Sequence, residues 1–133
     1  NTSGAGLFDG SGRSSFNRLS PAQVIHGLDA IRRGPHAATL FGSVPRAGAP
    51  GSLEGWFRPE PPAAASDEIP FEPEVWALPG RHEGGITLTG WTLTRAAHPI
   101  HFHLSVRDSR LPEVVLKRAL EGLVTEIALS SIH

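Results

Sequence analysis

Between Gly85 and Arg107 apolar and polar residues alternate in two runs joined by one turn. This block restricts the fold more than any other stretch, because period-two alternation suits a half-buried strand and not a helix. Ile86 and Leu88 keep one phase, while Trp91 and Leu93 keep the opposite one. Gly90 between them is placed to absorb the change as a bulge. Ala96-Ala97-His98-Pro99 then turns the chain back through Ile100–Val106. With Arg95 opposite Ile100, Leu93 faces Phe102 and Trp91 faces Leu104 on one side of the hairpin. Thr94 then faces His101, and Thr92 faces His103, on the other.

Helical signals flank this block. Ser20-Pro21-Ala22-Gln23 supplies a capping hydroxyl, a first-turn proline and a capping-box Gln, and Val24, Leu28 and Ile31 follow at helical spacing. Arg32 and Arg33 precede Gly34-Pro35, so a helix is predicted over 21–33. A second helix is predicted over 111–130, with Ser109 as its cap and an apolar stripe of Leu116, Leu120, Leu123, Val124 and Ile127. Gly122 inside it costs about 1 kcal/mol against Ala, which close packing would explain. Residues 37–44 and 53–58 read as a hairpin around Pro45–Gly51, and 74–78 as a short strand ended by Pro79-Gly80. The expected fold is therefore α+β: an antiparallel β-meander of four to five strands flanked by an N-terminal and a C-terminal amphipathic helix. Consecutive strands without helices between them exclude a parallel doubly wound sheet. The three tryptophans all fall in predicted strands and are expected in the core.

Outside these elements the chain is rich in breakers, with 15 Gly and 12 Pro among 133 residues. Residues 1–19 read as a flexible Gly/Ser-rich arm with Phe8 and Phe16 as footholds. Residues 20–133 read as a single domain interrupted by a Pro-rich acidic loop at 59–73, where Ile69 and Phe71 are apolar anchors among acids. The chain holds no methionine and begins Asn1-Thr2-Ser3, which reads as a trimmed piece of a longer product.

Composition removes several functions. No cysteine excludes disulfides, thiolate catalysis and cysteine-ligated metal. A net charge of −1 with a single lysine, Lys117, speaks against a nucleic-acid partner. No apolar run approaches membrane-spanning length, so no membrane partner is expected; a targeting signal ahead of Asn1 is not legible, and the compartment is left open with the cytoplasm slightly favoured. No Gly-x-Ser-x-Gly elbow or phosphate-cradling glycine motif is present. The candidate chemistry is His101-Phe102-His103, which places two imidazoles on one face of a strand as two ligands of a transition metal that needs at least a third. The reading that follows is a non-enzymatic protein-interaction or assembly domain, without cofactor, that binds another protein or its own copies through Phe8, Phe16, Ile69 and Phe71. The alternative is a metal-dependent enzyme or metal sensor built on His101 and His103.

Overall fold

The computed structural model describes residues 6, 18–58, 71–82, 84–107 and 110–130. The chain divides into two compact units, Asn1–Ser43 and Val44–His133. In the first, α1 spans Pro21–Arg33 with the expected capping box. Gln23 N–H donates to Ser20 Oγ at 3.1 Å, and Ser20 N–H donates to Gln23 Oε1 at 2.7 Å. Asp29 ties the last turn by ion pairs to Arg32 at 2.8 Å and Arg33 at 3.0 Å. A short helix α2, Ala37–Gly42, follows where a strand was expected. The run Ala37, Ala38, Leu40 favours helix, and Leu40 N–H closes the turn onto His36 O at 3.0 Å. Gly6 and Arg18 pair their backbones in an isolated bridge with bonds of 2.9 and 2.7 Å.

The second unit is an antiparallel sheet covered on one face by a helix. Its strands are β1 (Val75–His82), β2 (Gly85–Leu93) and β3 (Pro99–Val106), in that spatial order. The sheet therefore has three strands among the described residues, not four to five. Residues 53–58 are turns instead of a strand, held by Glu54 N–H to Gly51 O and Trp56 N–H to Leu53 O, both 2.9 Å. Positive φ at Gly48, Gly51, Gly55 and Phe57 bars an extended path there. Leu53 and Trp56 are still buried, and their spacing of three fits a turn better than a strand.

β1 continues through Pro79-Gly80, where a stop was expected. Ala77 N–H donates to Pro45 O, and Val75 O accepts from Ala47 N–H, so the odd residues turn their backbone groups away from β2. Pro79 is the next odd residue, and its missing N–H falls on the open edge, where a strand tolerates it.

The β2–β3 register differs by three residues from the expected one: Trp91 faces His101, Thr89 faces His103 and Gly90 faces Phe102. The cause is the turn. Thr94 N–H donates to His98 O at 2.9 Å, Ala97 at φ 61° donates to Thr94 O at 2.8 Å, and five residues, Thr94–His98, close the hairpin. An odd shift exchanges the faces of one strand relative to the other. Ile86, Leu88, Gly90 and Thr92 accordingly form one unbroken core-facing row with no bulge, and Trp91 and Leu93 leave the core face.

α3, Glu113–Leu129, covers that face through Leu116, Leu120, Val124 and Ala128. It packs with Leu53, Trp56, Val75, Leu88 and Phe102 in one apolar core. Of the predicted stripe, Leu123 is half exposed at 50% and Ile127 is only partly buried. A Cβ at Gly122 would meet nothing within 4 Å, so close packing does not explain that glycine. Ser109 lies outside the described residues, and α3 starts at Pro112 without a side-chain cap. No helix among the described residues is long and apolar enough to cross a membrane.

Candidate functional site

The face of the sheet opposite α3 carries the polar side chains. Register sets them in rows across the three strands: Trp76–Trp91–His101, then Leu78–Thr89–His103, then Gly80–Thr87–Ser105. Trp76 and Trp91 stack with ring centroids 5.8 Å apart and planes 11° from parallel. Arg46, bridged to Trp76 through the backbone, lays its guanidinium 5.3 Å from the Trp76 ring centre and pairs with Glu74 at 3.3 Å. His101 lies tilted beside Trp91 at 6.2 Å. Two of the three tryptophans thus stand half-buried on the outer face, against the expectation that all three are core. The register change put them there.

His103 and Thr89 form a hydroxyl–imidazole pair, with Thr89 Oγ1 2.6 Å from His103 Nδ1. Burial, reinforced by the positive charge of Arg107, holds the His103 imidazole below the usual histidine value of 6.5. The folded state thus favours the neutral ring. The unfolded chain takes up a proton near pH 6.5 that the folded chain still refuses, so the stability this site contributes is complete above that pH. It is lost as pH falls through the lower folded value. We expect the unfolding midpoint of the wild type, measured against His103→Asn, to fall on acidification from about pH 7 to about pH 5. Parallel midpoints for the two proteins across that range would show that His103 carries no such linkage. The buried Ser105 Oγ, in the adjacent row, has no hydrogen-bond partner among the described residues.

The expected metal pair is placed as predicted on one strand face, but each imidazole already has a neighbour, Trp91 for His101 and Thr89 for His103. Among the described residues no group of three His, Asp or Glu side chains converges to hold a metal ion. Of the expected partner contacts, Phe8, Phe16 and Ile69 lie outside the described residues. Phe71 is half-buried, with the Arg95 guanidinium 5.1 Å from its ring centre.

Acyl-transfer chemistry needs an activated hydroxyl beside a base. None of the described serines, Ser20, Ser43, Ser52, Ser105 and Ser130, is hydrogen-bonded to a lysine or histidine. Lys117 is preceded three residues earlier by Val114 and followed by Arg118, so the sequence holds neither Ser-x-x-Lys nor Lys-Thr-Gly. The hydroxyl–base pair this face does assemble is Thr89–His103.

The family model of the D-Ala-D-Ala carboxypeptidase 3 (S13) family matches residues 1–102. The chain belongs to that family. No curated protein and no solved structure matches it. Membership overturns the expectation of a non-enzymatic interaction or assembly domain and points to a peptidase. That expectation rested on the want of a catalytic motif in the sequence. The match runs from the Gly/Ser-rich arm through β1 and β2 into β3, and so includes the arm and the proline-rich loop, which were read as contacts for another protein.

Proposed function

We propose that this protein serves the hydrolysis of peptides ending in D-Ala-D-Ala, releasing the terminal D-alanine. Water adds across the last amide: its oxygen bonds to the carbonyl carbon, and the departing amine takes up the proton. The observation that carries this reading is the family match over residues 1–102. Two features of the second unit agree with it. β3 pairs with β2 alone among the described residues, which leaves one edge along which an extended peptide can align by main-chain hydrogen bonds. Beside that edge the outer face presents His103 as a neutral imidazole, the form that accepts a proton.

The test is D-alanine release from an N-acylated peptide ending in D-Ala-D-Ala, with the L-Ala-L-Ala peptide as control. Stereospecific, enzyme-dependent release is the expected result. Release no faster than the protein-free blank overturns the reading.

A further inference from the structure

The side of α3 turned away from the sheet is ordered as closely as the buried one. Leu116, Leu120, Val124 and Ala128 mark the direction of the core. At about 100° per residue Gly122 points directly away from their mean direction, and a Cβ added there would meet nothing within 4 Å. Chemistry repeats evenly about this glycine. Four residues to either side stand Arg118 and Glu126, of opposite charge and both exposed. Seven residues to either side stand Val115 and Leu129, both apolar, 44% and 38% exposed. Neither Arg118 nor Glu126 makes an ion pair among the described residues.

Such a face is complementary to itself. When a second α3 lies antiparallel to the first, related by a two-fold axis at Gly122, each residue meets the one equally far on the other side of the glycine. Arg118 of one copy then meets Glu126 of the other, and Val115 meets Leu129, each pair formed twice. The bare glycine at the centre lets the helix axes come as close as about 8 Å, the short end of the range for packed helices. A parallel pairing in register would instead set Arg118 against Arg118 and Glu126 against Glu126. A uniformly acidic or basic partner would leave one of the two charges facing its own sign. The occupant that matches both charges and both apolar positions is a second copy of this chain.

We infer that the outer face of α3 is a homodimer contact, two copies pairing antiparallel about Gly122. This stands apart from the peptidase reading. One pair of helices buries less than the roughly 1,200 Å² of stable complexes, so the dimer is transient, with Kd about 0.1–1 mM. At the micromolar concentrations of an unfolding series the chain is monomeric. Sedimentation equilibrium of the whole protein, from about 10 μM to about 2 mM, tests the pairing. A reversible monomer–dimer equilibrium is the expected result. Arg118→Glu brings glutamates together across the axis and should weaken the dimer about tenfold, and Glu126→Arg should do the same with arginines. Combining the two exchanges the charges and should restore the dimer. Gly122→Leu should abolish it, because two side chains would meet on the axis. All three positions are exposed, so each monomer should keep the wild-type circular dichroism. A monomer throughout the range, a dimer that both single charge variants leave intact, or a combined variant that stays monomeric would overturn the inference.

Discussion

Gly90→Ala should break the sheet, whereas the same change at Gly122 should strengthen the helix. Gly90 stands opposite Ala77 in the β1–β2 register, and an added Cβ would collide with the Trp76 carbonyl oxygen and lie 2.6 Å from Ala77 Cα. Backbone atoms cannot rotate aside as a side chain can, so the strands must part. A destabilisation above about 4 kcal/mol is expected, in the exceptional range for one substitution. Because Trp76 and Trp91 stack across this pair of strands, near-UV circular dichroism should lose the signature of the stacked indoles. At Gly122 nothing lies within 4 Å, and Ala should add up to about 1 kcal/mol from helix propensity alone. Chemical denaturation of the two variants reads both signs. An undisturbed Gly90→Ala protein would refute the pairing of Gly90 with Ala77.

Leu120→Ala should cost about 2–5 kcal/mol through lost burial and the cavity it leaves. Leu120 is 1% exposed at the centre of the α3 face that covers the sheet, among Leu116, Val124 and Leu88. Against the 5–15 kcal/mol available to a whole domain, that is a large fraction. The midpoint of unfolding should not depend on protein concentration, because the leucine packs inside one chain. Leu123→Ala, on the half-exposed side of the same helix, is the comparison and should cost far less. Equal losses at the two positions would mean that α3 buries a different face.

What the sequence declared most clearly was local. Ser20, Pro21 and Gln23 specify the start of α1 through contacts three residues apart, and the structure makes both of those hydrogen bonds. The stripe of α3 was legible at Leu116, Leu120 and Val124, where a four-residue period is unambiguous. Register was not, because it depends on where a turn closes. Ala97 takes a left-handed conformation that favours glycine, so nothing in its residue type advertised a five-residue loop. One odd shift then carried Trp91 to the outer face and Thr92 into the core, where its hydroxyl donates to Glu74 O at 2.7 Å. Trp56 was expected in the core and is buried, but residues 53–58 were given the wrong backbone. The glycines around them, at positive φ, were the overlooked signal. Thr89–His103 joins residues fourteen apart, and only the register brings them together.

The bridge between Arg46 and Trp76, with Ala47 and Ala77 bonded on either side of it, has a consequence for chain length. It fastens both feet of the segment that runs from Gly48 to Val75. Closure of a tethered loop costs entropy that grows only with the logarithm of its length, about 0.6 kcal/mol for each doubling. A change in chain length between those feet is therefore expected to cost the sheet little, provided that the buried Leu53 and Trp56 keep their places. Change is expensive at the feet and at the buried Leu53 and Trp56 between them, and the clamp holds the strands it borders in register.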